Sequence, residues 1–237
     1  MTKVLKRGYI PSDDKEFSDE SVKILQKAAE ELYYLINRGY HIKGASVFVG
    51  NHYLLSERQR LALVRAVSPK ESIMQRKEKE LSIGDLSGKT VNIDGFNTII
   101  TLEVAFSDSL LIKCMDGTVR DLAALRGTYR LIDKTDIAII QIGKLLEKSK
   151  ISKAVFYLDA PVSNSGRLKM RIMELLKDFN FEVQAEVIGD VDSVLARLDN
   201  VITGDAIILD NCISWINLAS KVIESEKPNY KYINFNP

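Results

Sequence analysis

Three apolar runs in this chain each end on an aspartate: "VNID" at Asp94, "VFYLD" at Asp159 and "VITGD" at Asp205. Short apolar runs of this kind read as buried strands. In an open α/β sheet, the residues that do chemistry gather beyond the carboxyl ends of the strands. Three such strands would bring three carboxylates to one edge, where they repel and raise one another's pKa. A hard divalent cation relieves that repulsion. Mg2+ or Mn2+ prefers oxygen ligands and keeps several waters, and it can activate a water and stabilise the leaving oxygen of a phosphodiester. Any one of the three is more readily a turn former or helix cap. Their threefold coincidence is what points to a shared acidic site.

Other residues could complete such a site. Asp210 follows Asp205 by five positions, and Asp190 and Asp192 follow a further apolar run in "VIGDVDSVLA". Asp190 reads as the cap of the next helix, which leaves Asp192 as a candidate ligand; Asp121 is a further acid. Glu103 lies about two and a half helical turns beyond Asp94, which points to a different face. In "APVSNSGRLKMRI", Ser163, Asn164, Ser165 and Gly166 open a helix directly after Asp159. Free N–H groups at a helix start suit a phosphate, and the plain alternative is an N-cap loop. There is no P-loop and no G-x-G-x-x-G. The two histidines, His41 and His52, belong to no metal motif, which argues against Ser-His-Asp or Cys-His hydrolysis.

The elements that must position these residues alternate. Strands are expected at 89–94, 109–115, 118–122, 153–158, 181–187 and 201–205. Helices are expected at 96–106, 134–149, 165–179 and 190–198, with a last one near 216–225. The alternation predicts a parallel sheet with helices on both faces. "LLIKCMDGTVRDL" is expected to form a hairpin around a two-residue Asp116-Gly117 turn. Gly95 is expected to let the chain turn tightly after Asp94.

Before this region lies a small helical one. Ser18 can cap a helix carrying Val22, Leu25, Ala29, Leu32 and Ile36 at helical spacing, with Gly39 as its stop. Ser56 with Gln59 forms a capping box for another, and "GASVFVGNHYLL" suggests a third short helix. Residues 1–80 therefore read as a basic all-α domain, and 85–237 as the α/β domain, with the charged stretch 69–88 as the boundary. Residues 1–80 carry 15 Lys and Arg against 11 Asp and Glu, whereas 81–237 carry 18 against 21. Such a basic excess is compatible with nucleic-acid contact, or with a solvated helix face. Cys114 and Cys212 make no disulfide framework, and no apolar run marks a signal peptide or a membrane span. A cytoplasmic protein is expected.

Asp94-Gly95-Phe96-Asn97 after an apolar strand resembles the opening motif of the PIN-like nuclease superfamily, especially its NYN branch. "VITGDAIILD" resembles that fold's later strand, where a Thr or Ser precedes a metal-binding Asp, here Thr203 and Asp205, with Asp210 a looser match. The whole chain resembles domain-of-unknown-function family 434, a set of prokaryotic two-domain proteins. That resemblance is carried by "LINRGYHIKGASVFVGNHYLLSERQRLAL", "IDGFNTIITLE", "DGTVRDL" and "YLDAPVSNSG". The PIN-like resemblance implies a Mg2+- or Mn2+-dependent ribonuclease fold. The usual Glu on a middle helix lacks a clear counterpart, since 134–149 offers only Asp136 and Glu147.

The expectation is a metal-dependent nuclease, acting on RNA rather than DNA. Asp94, Asp159 and Asp205 would ligate metal, supported by Asp210 or Asp192. Asn97 would orient Asp94 or touch a phosphate. Arg120, Arg126 and the loop Ser163, Asn164, Ser165 and Gly166 would hold the backbone. The rival is a nucleic-acid-binding or regulatory protein that kept the fold and lost the chemistry. No membrane partner is expected, and a homo-oligomer is compatible with the pattern.

Overall fold

The computed structural model describes residues 6–123 and 127–235. Its first part is helical: α1 (Asp13–Glu16), α2 (Asp19–Ile36), α3 (Ile42–His52), α4 (Glu57–Ala66) and α5 (Lys70–Lys79). Ser18 caps α2, accepting from Ser21 N, and Ser56 and Gln59 form the capping box of α4. The α2 stripe Leu25, Ala28, Ala29, Leu32 and Ile36 is buried, and Gly39 follows at φ +87°. Three helices are expected from the sequence, with the boundary 69–88 open to continuing as a helix before its turn; α5 is that continuation, and α1 is additional. The stretch 70–79 has almost no apolar stripe, so periodicity could not reveal α5. What it buries is Arg76.

The second part runs β1 (Thr90–Asp94), α6 (Gly95–Phe106), β2 (Leu111–Lys113), β3 (Val119–Asp121), α7 (Asp133–Lys148), β4 (Lys153–Asp159) and α8 (Ser165–Leu176). It continues through β5 (Glu182–Ile188), α9 (Val191–Leu195), β6 (Val201–Ile202), α10 (Ala206–Asn211), β7 (Trp215–Ile216), α11 (Leu218–Glu226) and β8 (Ile233–Asn234). Five strands form one parallel sheet in the order β5-β4-β1-β6-β7. From β1 the chain builds outward through β4 and β5, then returns to the other side of β1 at β6. The order reverses between β1 and β6, and in such sheets ligands bind beyond the carboxyl ends at that reversal.

Both faces are covered, as the period of two in a strand requires of a buried sheet. Ile202 and Ile216 join the large core with α6, α7, α8 and α11. Their neighbours Val201 and Trp215 join a smaller core with α9 and α10. Gly95 is not in the left-handed region. Its role is close approach, because a Cβ there would lie 2.5 Å from Leu158 Cδ2 and 3.0 Å from Tyr157 O. It lets α6 lie against β4.

A second, three-stranded sheet pairs β3 with β2 antiparallel and β2 with β8 parallel. Its hairpin loop has three residues, Met115 to Gly117, rather than the expected two. Cys114 N donates to Thr118 O, Gly117 N donates to Cys114 O, and Gly117 alone takes positive φ. That is a three-residue turn closed by a left-handed glycine. This sheet does not stand apart from the helices: Ile112, Cys114, Leu122 and Phe235 belong to the core of α2, α3 and α4. No helix among the described residues is long and apolar enough to cross a membrane.

Candidate functional site

A cavity of about 450 Å3 opens where the sheet order reverses. Asp94 ends β1, Asp159 ends β4, Asp192 sits in the first turn of α9, and Asp205 follows β6; all four line it. The topology thus gathers carboxylates up to 111 positions apart in sequence. Asp121, at the end of β3, lines it too, with Phe96, Asn97, Ile100 and Gly204. Across the opening stand Val64 and Arg65 of α4. The helical region is therefore one wall of the site.

Asp94 is buried and doubles as the N-cap of α6. Its Oδ1 accepts from Asn97 N at 3.3 Å and its Oδ2 from Thr203 Oγ1 at 2.8 Å. Thr203 Oγ1 in turn accepts from Asp205 N at 3.0 Å. Asp205 caps α10, accepting from Ile207 N and Ile208 N. Asn97 turns its side-chain oxygen to Gly204 N at 2.8 Å. Asn97 and Thr203 thus lock the turn after β6 onto the start of α6 and fix where the two acids stand.

Electrostatics follow from that crowding. Burial pushes the Asp94 carboxyl up to about 7; the charges of Asp205 and Asp159 add to the rise, against the Thr203 and Asn97 hydrogen bonds. Asp159 is raised by burial, with Asp190 adding. Asp192 is raised by partial burial and by Asp205, Asp159 and Asp190. Three acids whose neighbours disfavour their ionised form are an arrangement that a cation would relieve.

The cavity brings together Asp94, Asp159, Asp192, Asp205, Asn97 and Arg120 from the expected set. Arg120 lines it but spends its guanidinium elsewhere. It donates to Gly204 O, Arg65 O and the buried Asp116, with Asp116 Oδ2 at 2.6 Å. It bolts the hairpin to α4 and to the turn after β6. Asp210 faces away and pairs with Arg76 Nε at 2.7 Å. Ser163, Asn164, Ser165 and Gly166 do not line the cavity. Ser163 and Asn164 hydrogen-bond to the Tyr129 backbone, and Asn164 adopts φ 63° at the start of α8. Asp190 caps α9 through Ser193, as its place predicts. Arg126 lies outside the described residues.

One residue was missed by spacing alone. Arg65 reaches the cavity from α4 by packing that no local signal encodes. Glu103, expected on a different face from Asp94, does lie outside the cavity and is wholly buried. It accepts from Arg7 Nε and Tyr129 OH at 2.7 Å each, and from Thr135 Oγ1. A lone acid in the apolar "TIITLEVAF" was the available signal, because a charge in such a helix is buried only when paired. It ties the segment at Arg7 to α6 and α7 and is not part of the cavity.

Residues 24–79 match the family described as Protein of unknown function (DUF434), and residues 83–221 match Domain of unknown function (DUF5616). The likeness to family 434, which the sequence motifs extend along the whole chain, is thus confined to the helical part, and a separate family covers the sheet. The chain is 37% identical over 202 residues to "Uncharacterized protein MJ0935" of Methanocaldococcus jannaschii, a match spanning 84% of this chain and 97% of that protein. No solved structure matches it significantly. With most of its length, the acids of the cavity included, inside the 83–221 match, the chain belongs to the family described as Domain of unknown function (DUF5616), preceded here by a DUF434 region.

Proposed function

We propose that this protein is a divalent-cation-dependent phosphodiesterase acting on nucleic acid, RNA before DNA, with a PIN-like catalytic part. The observation that carries the reading is the convergence of Asp94, Asp159, Asp192 and Asp205 on one cavity at the reversal point of a parallel sheet. The candidate ligands there are carboxylates, with no imidazole or thiolate among the described lining residues, which suits Mg2+ or Mn2+ rather than Zn2+. Among the described residues, no three Asp, Glu, His or Cys side chains stand together so that they could hold a metal ion. Mg2+ does not require such a group: one or two carboxylates hold it, and waters and substrate phosphates complete its shell. Asp94 and Asp205 are the pair that would hold it, with Asp159 and Asp192 through water. The bound cation would activate a water and stabilise the leaving oxygen. The chain's own contribution is to fix the acids through Thr203 and Asn97 and to keep the cleft open.

The lack of such a group among the described residues and the spent donors of Arg120 favour one rival, a nucleic-acid binder without turnover. Thermal unfolding with Mn2+ and cleavage of a labelled oligoribonucleotide separate the two. Mn2+ should raise the Tm of the wild type but not of Asp94→Asn, and the folded variant should lose Mn2+-dependent cleavage. Equal cleavage by Asp94→Asn would sink the catalytic reading. Salt-sensitive binding with no Tm response and no turnover would select the rival.

A further inference from the structure

Among the described residues, the cavity is lined by one guanidinium with donors to spare. Arg65 lies in the last turn of α4, its side chain 33% exposed. Nη1 donates to Asp121 O and stands 3.7 Å from Asp121 Oδ1. Nε and Nη2, the adjacent donors along one edge of the guanidinium, make no hydrogen bond among the described residues. Arg120, the other described cation lining the cavity, has Nε, Nη1 and Nη2 all engaged. A guanidinium edge of this kind matches two phosphate oxygens. Beside Arg65, Val64 and Ile207 expose apolar surface into the same cavity, 39% and 63% exposed.

The size restricts what enters. About 450 Å3 lies in the range that takes one small-molecule-sized ligand. A cavity of that volume suits one nucleotide unit rather than a double helix, whose major groove alone is about 12 Å wide. Resting on the phosphodiesterase reading above, we infer that the site takes an unpaired strand, one nucleotide unit at a time. Arg65 of the helical region holds its phosphodiester, and Val64 and Ile207 pack against the adjoining base or sugar. The helical region is then a half of the substrate site and not only a source of general positive charge.

The test is anisotropy of a short fluorescein-labelled oligoribonucleotide, single-stranded and annealed, with the full chain in Mg2+ over a salt series. Wild type should bind the single strand at least about tenfold tighter than the duplex. Arg65→Ala should weaken single-strand binding about tenfold and flatten the salt slope by about 0.7, the value for one lost phosphate contact on a single strand. Arg65→Lys, which keeps the charge but loses the fork, should recover part of this. Arg65→Ala should lower the Tm only by its lost contact with Asp121, and the rise in Tm on adding Mn2+ should be that of the wild type, because Arg65 touches none of the four acids. Unchanged binding and slope in Arg65→Ala overturns the inference, and so does equal affinity for duplex or no binding by wild type. If Arg65 matters but Mn2+ neither shifts Tm nor supports cleavage, the phosphodiesterase reading falls and this assignment stands. If Mn2+ does both and Arg65 is silent, the reverse holds.

Discussion

Asp94 and Asp205 share one hydroxyl. Thr203 Oγ1 donates to Asp94 Oδ2 and accepts from Asp205 N. Thr203→Val removes both bonds and strands a backbone N–H in the turn after β6. The expected cost is about 1–3 kcal/mol in urea denaturation, with Thr203→Ser close to wild type; equal losses in the two variants would mean that the two hydroxyl bonds do not set the cost. The Asp94 carboxyl supplies a second outcome. Its folded pKa is about 7 against an ordinary 3.8, so between those values the folded state binds more protons than the unfolded one. In chelator, this group therefore makes stability fall as pH rises through the window and level off above it. Asp94→Asn should abolish that slope and exceed the wild type at pH 8 by up to roughly 4 kcal/mol, less the weakened hydrogen bonds. Parallel stability–pH curves for the two proteins would refute the burial argument. At this scale the aspartates were legible because each ends an apolar run. The duties of Thr203 and Asn97 were not, because their partners lie 109 and 107 positions away.

Among elements, α5 shows where sequence pattern misleads. "KESIMQRKEK" looks like a charged boundary, yet the helix is wedged against α10 and the hairpin loop. Buried Arg76 donates to Asp116 Oδ2 at 2.5 Å, to Asp210 Oδ1 at 2.7 Å and to Ser68, and its carbonyl accepts from Trp215 Nε1. Lys79 reaches the carbonyls of Leu209, Asp210 and Cys212 at the end of α10. Burial alone would raise the Asp116 carboxyl, but Arg120, Thr118 and Arg76 together hold it below its ordinary range. Removing one partner of a buried pair leaves an uncompensated charge, so Arg76→Ala should cost about 3–5 kcal/mol. Asp210→Asn, at the half-exposed end of the same network, should cost less than about 1 kcal/mol. Chemical denaturation measures both, and an equal cost would mean the network is not organised around Asp116. The elements that were legible, α2 and α4, carry a capping signal before a helical stripe. Short α10 was not: "AIILDN" continues an apolar run, and only the Asp205 cap turns it out of the sheet.

For the molecule as a whole, two family matches meet between residues 79 and 83, and the sequence divides there by charge and by hydrophobic period. The structure joins what those patterns divide. Four residues of the hairpin region and the C-terminal strand region, Ile112, Cys114, Leu122 and Phe235, complete the core of the helical part. Met115 N donates to Ala66 O at the end of α4, Arg58 Nη1 to Leu122 O, and Gln26 Nε2 to Asn234 O. A helical core that depends on strands contributed from beyond position 110 cannot keep its packing once they leave, so loss of either half exposes the other. The chain carries reporters for this. Cys114 is buried in the helical core, Cys212 in the small core under α9 and α10, and the single tryptophan, Trp215, on β7. In rising urea, the labelling of both thiols and the change in Trp215 fluorescence should share one midpoint, and far-UV circular dichroism should follow it. Exposure of Cys114 at a urea concentration where Trp215 is still native would show that the helical part unfolds by itself. Arg65 and Val64 would then stand on a wall that can detach from the acids across the cleft, and its grip on a strand would loosen well below the global midpoint.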